Sequence, residues 1–148
     1  MGALLDTNVV LDALARREPW AQDACDLLSL ASFGRAHLSV SGSTITDIYY
    51  LVNKYVSRDR EESLRVVRVL MDSLSVVNVG FEECLMGAYA GMRDFEDAVV
   101  AQAAHSAHLD YIVTRNATDY EGSPIPPISP RAYLGLIAPG EEPASRRV

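Results

Sequence analysis

Short apolar runs alternate with helix-patterned segments along the chain, and this alternation limits the possible folds more than any other feature. The apolar runs predict strands at residues 3–5, 38–40, 75–79 and 111–114. The stretches between them carry apolar residues at helical spacing, and alanine-rich 94–108 is the strongest helix. Strands that alternate with helices favour a mostly parallel sheet covered on both faces. We therefore expect an α/β fold, a three-layer α/β/α sandwich with four to five strands.

The boundaries of the predicted helices follow from cap residues and from glycine or proline breaks. Ser41 and its neighbours offer cap chemistry for a helix that starts near residue 45, and Pro130 fits the first turn of the last helix. The proline-rich residues 122–127 are expected to form an irregular loop. The expected helices are 9–15, 20–33, 45–56, 61–74, 82–90, 94–108 and 130–137.

The length of the chain fits one domain. Of its 148 residues, we expect 1–138 to form a single domain and 139–148 to be a polar, frayed tail. No apolar run approaches the roughly 20 residues that span a bilayer, so no membrane association is expected. The first ten residues lack the basic region of a signal peptide, and Asp6 interrupts their apolar stretch. A cytoplasmic location is the expectation.

The charge of the chain is strongly acidic, with a formal net charge of −7. Proteins that wrap nucleic acid non-specifically usually show a basic patch, so this balance argues against that class. A cluster of carboxylates that holds a divalent cation also makes a metal-free chain acidic. The charge therefore leaves a metal-dependent reaction on nucleic acid possible.

Four aspartates occupy comparable places relative to the predicted strands. Asp6 and Asp119 follow the first and fourth strands, Asp47 lies near the start of the helix after the second, and Asp97 lies at a helix start. Asp94, three residues before Asp97, shares its helix face. Each acid alone is consistent with a cap, a turn or a solvated surface. Ligands of such sheets bind at the carboxyl ends of the strands, so the four together predict one site.

Carboxylate oxygens suit hard divalent cations, which favours Mg²⁺ or Mn²⁺ at this site. A metal held there could activate water and stabilise charge on a phosphodiester. The segment after the fourth strand adds Thr114 and Asn116, which could orient a bound water and a phosphate oxygen by hydrogen bonds. Arg115 lies in the same segment and is the best-placed cation for a phosphate contact.

The segments Leu5-Asp6-Thr7-Asn8, Asp-Phe-Glu-Asp-Ala at 94–98 and Thr-Arg-Asn…Asp-Tyr at 114–120 together resemble those of a PIN domain. The opening LLDTNVVLDAL followed by REPW is similar to the bacterial branch that includes VapC-like toxins. The resemblance runs in order from Leu4 to about Leu134 and implies a Mg²⁺- or Mn²⁺-dependent endoribonuclease.

The resemblance also implies a role for each residue. Asp6, Asp97 and Asp119 match three of the family's acids, and Asp47 stands near the second, where many relatives carry the longer glutamate. Asp94 is therefore held as an auxiliary ligand, and the number of metals stays open. Positions that orient the acids by hydrogen bonds are matched by Asn8, Thr114 and Asn116.

The toxin resemblance further implies an RNA substrate, a small antitoxin protein as partner and a homodimer. The alternative is a non-catalytic module of the same fold that binds RNA or an antitoxin. An acid-nucleophile phosphatase is disfavoured, because it needs a second acid where Asn8 stands and a positioned lysine, and Lys54 is the chain's only lysine.

Overall fold

The computed structural model describes residues 1–138, and the predicted tail at 139–148 lies outside the described residues. Strands and helices alternate as expected. The chain order is β1 Gly2–Leu5, α1 Thr7–Leu14, α2 Ala21–Ser32, β2 His37–Ser41, α3 Gly42–Val52, α4 Arg60–Ser73, β3 Ser75–Val77, α5 Phe81–Tyr89, α6 Phe95–Ser106, β4 Tyr111–Val113, β5 Pro127–Ile128 and α7 Pro130–Ile137.

The five strands form one parallel sheet in the order β3-β2-β1-β4-β5, with helices on both faces. The predicted three-layer α/β architecture is confirmed. The central strands β1 and β4 pair with Leu5 opposite Val113, so Asp6 and Thr114 leave the same edge of the sheet side by side. This register is what brings the first and last candidate segments together.

The fifth strand corrects one expectation. Residues 122–127 were expected as an irregular loop, but Pro127–Ile128 pairs with β4 at the edge of the sheet. Ile112 donates its N–H to the Pro126 carbonyl at 3.1 Å, and Thr114 donates to Ile128 at 3.0 Å. Proline has no N–H to donate, so an edge position, where only the carbonyls are needed, accommodates it.

Helix ends differ from the expectation by a few residues. The third helix was expected to reach Val56, but α3 ends at Val52 and passes into a π-helical turn, Asn53–Ser57, closed by Arg58 at φ +54°. Its predicted cap is confirmed, since the Ser41 side chain accepts from the Thr44 N–H at 3.2 Å. The third strand stops at Val77 rather than residue 79.

The core lies on both faces of the sheet. Successive residues of a strand point to opposite faces, so Leu5 packs with Val9, Leu27 and Tyr133 on one side, and Leu4 packs with α6 on the other. The small alanine side chains along α6 let this helix pack closely against the sheet. In residues 1–138, no helix is long and apolar enough to cross a membrane.

Candidate metal centre

The carboxyl ends of β1 and β4 hold the first candidate ligand. Asp6 directly follows β1 and donates its N–H to the Val113 carbonyl of β4 at 2.9 Å. Thr114, directly after β4, is buried and donates its hydroxyl proton to Asp6 Oδ2 at 2.9 Å. The neighbouring strands thus fix both the backbone and the side chain of Asp6.

A cleft of about 440 Å³ opens in front of Asp6. Three elements contribute: the start of α1, the middle of α3 and the first turn of α6. The acidic cleft, as we call it below, is lined by Asp6, Thr7, Asn8, Leu11, Asp47, Tyr50, Leu51, Glu96 and Asp97. It therefore brings together three of the four predicted aspartates and the predicted supporting residue Asn8.

Asp97 has the most strongly perturbed acid group of the cleft. It lies in the first turn of α6, whose N-cap Asp94 accepts from the Asp97 N–H at 3.0 Å. Burial, followed by the carboxylates of Asp94, Asp6 and Asp119, raises the pKa of Asp97 from 3.8 to about 6. Several negative groups therefore act on one side chain.

Asp119 joins the site through the segment after β4. It lies in a 3₁₀ turn, Ala117–Tyr120, and donates its N–H to the Asn116 carbonyl at 3.1 Å. Burial raises the pKa of Asp6, the Thr114 hydrogen bond opposes that rise, and the charge of Asp119 adds to it. Asp119 thus acts electrostatically on both Asp6 and Asp97, although it is not among the residues that line the cleft.

Asp47 enters the cleft from α3, and its neighbour there is a residue that the sequence reasoning missed. Desolvation raises the pKa of Glu96, and the nearby carboxylate of Asp47 raises it further. Glu96 stands between Asp94 and Asp97, so its sequence context also fits an ordinary acid in a first helical turn. Its position opposite Asp47 becomes visible only in the fold.

Tyr120 is a second residue that was missed. Its side chain is 2% exposed, and its hydroxyl faces Asp97. Burial and the charges of Asp6 and Asp97 raise the pKa of Tyr120, so the phenol stays protonated and can donate to a carboxylate. Only the pairing of the last segment with the sheet brings this tyrosine behind Asp97.

Arg115 and Asn116 contact neighbours outside the cleft lining. The Nε atom of Arg115 lies 3.3 Å from Asp12 Oδ2, and the guanidinium lies over the Trp20 ring, 3.8 Å from its centroid. Asn116 donates its backbone N–H to Thr114 Oγ1 at 3.1 Å, while its side chain is exposed. The contacts of Arg115 with Asp12 and Trp20 could not be predicted from the sequence pattern.

The carboxylates share a cleft without converging on one point. Within residues 1–138, no three Asp, Glu, His or Cys side chains lie close enough together to hold an ion as they stand. The donor set is nonetheless made of carboxylates, with no thiol or imidazole among the residues that line the cleft. Its chemistry fits a hard cation, and coordination would require the carboxylates to draw inward.

Residues 2–118 match the family model described as a PIN domain. The chain belongs to the PIN domain family. Among curated proteins, no sequence matches this PIN domain.

Solved structures of similar fold agree with the family assignment. The alignment with DNA-bound VapBC from Salmonella typhimurium has 20% identity and a TM-score of 0.65, and covers 88% of this chain and 98% of that one. A toxin–antitoxin complex from Klebsiella pneumoniae aligns with 19% identity and a TM-score of 0.65, over 86% of this chain and 97% of that one. VapBC-1 from nontypeable Haemophilus influenzae aligns with 17% identity and a TM-score of 0.65, over 88% of this chain and 99% of that one. At these identities the likeness shows the fold.

Proposed function

We propose that this PIN domain is a divalent-metal-dependent endoribonuclease that hydrolyses RNA phosphodiesters, and that it is the toxin of a toxin–antitoxin pair. The observation that carries the proposal is the accumulation of acids at the acidic cleft. The charge of Asp119 acts on Asp6, the charges of Asp6 and Asp119 act on Asp97, and the pKa of Asp97 is raised to about 6. Repulsion between neighbouring carboxylates is tolerated in a folded protein where a bound cation neutralises them.

The fit to Mg²⁺ or Mn²⁺ rests on the donor set. Asp6, Asp97 and Asp119 would hold the ion, with Asp47 and the missed Glu96 on the opposite wall and Asp94 as an auxiliary ligand. The ion, when bound, supplies Lewis-acid stabilisation of charge and activation of water.

The protein's own residues position the carboxylates. Thr114 holds one oxygen of Asp6 by its 2.9 Å hydrogen bond, and the backbone at Asn8 and Thr7 also donates to this carboxylate. Tyr120 faces Asp97 from the buried side. Because both partners are buried, the two acids have few alternative rotamers, which favours a site with a fixed geometry.

RNA cleavage by the purified protein tests the proposal. We expect cleavage with Mg²⁺ or Mn²⁺, loss with EDTA, and a loss of at least about a hundredfold in Asp97→Asn. Asp23→Asn is the matched control, since Asp23 lies at the corresponding third position of α2, outside the cleft. Cleavage that survives both EDTA and Asp97→Asn would overturn the mechanism.

The antitoxin and the homodimer are supported by similar folds and by one surface. VapBC structures and a toxin–antitoxin complex share this fold. Helix α5 buries Gly87 but leaves Phe81, Met86 and Tyr89 exposed by 75%, 52% and 83%. Exposed apolar side chains that cluster on one helix favour a protein interface.

The dimer and the partner have separate tests. Light scattering after gel filtration should give twice the chain mass, and Tyr89→Glu should shift it towards the monomer. A small open reading frame directly upstream of the gene would support the toxin role, and a gene standing alone would count against it. A cytoplasmic location stays a prediction.

The alternative is a PIN module that binds RNA or an antitoxin without cutting. It predicts RNA binding without cleavage in every metal tested. The presence of the acids at the cleft favours the nuclease, because a binding role needs no cluster of repelling carboxylates.

A further inference from the structure

The structure contains a second charged cluster, behind the acidic cleft. Asp12 of α1 is only 1% exposed, and two arginines approach it: Arg115 at 3.3 Å and Arg17 at 3.8 Å. Trp20, in the segment between α1 and α2, covers the guanidinium of Arg115. A buried carboxylate is costly unless it is paired, so Asp12 requires a cation at this position.

The geometry of the pair indicates that charge holds it. Arg115 Nε and Asp12 Oδ1 have no hydrogen-bond partner among the described residues, although the ion-pair distance is short. The electrostatic attraction between Arg115 and Asp12 and the contact of the guanidinium with the Trp20 ring therefore contribute more to this arrangement than a directed hydrogen bond does. A residue with the same charge at position 115 should preserve part of this arrangement.

Arg115 belongs to the segment after β4, which binds Asp6 and acts on Asp97. The 114–120 loop, as we call it below, carries Thr114, which binds Asp6, and Asp119, which acts on Asp6 and Asp97. Arg115 lies between these functional positions, yet its side chain turns away to α1. The loop is thus held on both sides, by Thr114 at the front and by Arg115 at the back.

We propose that Asp12, Arg115 and Trp20 form a latch that positions the 114–120 loop, and that Arg115 is a positioning residue instead of a phosphate ligand. The role in catalysis rests on the proposed nuclease function, whereas the role in loop position does not. The latch joins residues that are far apart in sequence, so the loop and α1 move as one unit. Its loss should displace Asp119 without removing any acid from the cleft.

Trp20 is the chain's only tryptophan and therefore reports on the latch directly. In metal-free protein, Arg115→Gln and Asp12→Asn should raise acrylamide quenching of Trp20 and shift its emission, with the circular dichroism of a folded chain. Hydrogen exchange of the 114–120 loop should accelerate at least about tenfold. Arg131→Gln, which removes an exposed ion pair with Asp23, is the matched control and should change neither signal.

Steady-state RNA cleavage separates positioning from substrate binding. Positioning predicts that Arg115→Gln lowers kcat about 10- to 100-fold and leaves KM within about twofold, as for other residues that orient ligands. Arg115→Lys should recover part of kcat because it keeps the charge. A phosphate contact predicts instead a higher KM and a shallower dependence of RNA binding on salt.

The outcomes are distinguishable. Unchanged quenching and unchanged exchange in Arg115→Gln would overturn the latch, as would a higher KM with unaltered kcat. If wild-type protein does not cleave RNA, the nuclease proposal fails, while quenching and exchange still decide the latch. If Asp12→Asn does not fold, the two Arg115 variants carry the test alone.

Discussion

Replacement of Asp97 by asparagine should stabilise the metal-free protein at neutral pH. The folded protein raises the pKa of Asp97 from 3.8 to about 6, so ionising this acid opposes folding. Each pKa unit corresponds to about 1.36 kcal/mol, which gives an upper bound of about 3 kcal/mol, and solvent screening of this partly exposed side chain reduces that figure to about 2 kcal/mol. Asparagine lacks the negative charge that interacts favourably with the N-terminus of a helix, and this loss costs about 0.3–1 kcal/mol. The expected net gain is about 1–2 kcal/mol.

The direction of the pH dependence follows from the sign of the shift. Below 3.8 the acid is protonated in both folded and unfolded chains, and the variant should match the wild type. As the pH rises towards 6, the unfolded chain releases its proton first, so the wild type loses stability relative to the variant. Above 6 the difference should be constant.

Urea unfolding in EDTA, followed by far-UV circular dichroism at several pH values, measures this difference. Asp23→Asn is the control, because the same substitution at the same helical position lies outside the acidic cleft. A variant that is less stable than wild type at neutral pH would show that ionised Asp97 does not oppose folding. A gain of equal size at all pH values would show that packing, and not charge, is responsible.

Three further predictions concern packing, capping and the support of Asp6. Gly87→Ala should destabilise the protein by about 1–3 kcal/mol, because the new Cβ would lie 2.8 Å from Val99 Cγ2 and 3.1 Å from the Val99 backbone N. In the same thermal melts, Gly135→Ala, with open space around its Cβ position, should be neutral or stabilising. Asp94→Ser should keep the helix cap, whereas Asp94→Ala should lower the free energy of unfolding in urea by about 1 kcal/mol. If Asp94 acts only as a cap, the serine variant should also keep the rate of RNA cleavage. A large loss of cleavage in the serine variant would identify Asp94 as a ligand. Thr114→Val should cost about 1–3 kcal/mol in urea unfolding because Asp6 loses its hydroxyl donor, and Thr114→Ser should restore most of it; equal stability of valine and serine variants would exclude that role.

The layers of the fold could be predicted from the sequence because each depends on local pattern. Alternating apolar runs and helical spacing specify parallel strands, and parallel strands bring Asp6 and Thr114 to the same edge. The edge strand β5 could not be predicted, since two residues that include a proline carry no strand pattern of their own. Its hydrogen bonds come entirely from β4.

The site was predictable to a lesser degree. Asp6, Asp47 and Asp97 line one cleft as the sequence suggested, and their role as ligands stays a prediction. Glu96 resembled a helix-terminal acid, and its neighbour Asp47 is distant in sequence. Arg115 followed a strand beside the acids, which is where a phosphate ligand would be expected. Its pairing with Asp12 depends on tertiary packing alone.

Direct titration of Mn²⁺ into the metal-free protein, with bound ion measured by electron paramagnetic resonance, tests whether these carboxylates form one metal centre. We expect saturable binding to wild type and to Asp23→Asn, and a loss of affinity of at least about tenfold in Asp6→Asn and Asp97→Asn. Binding of equal affinity in all four proteins would contradict this expectation, because the ion would then be held somewhere other than the acidic cleft.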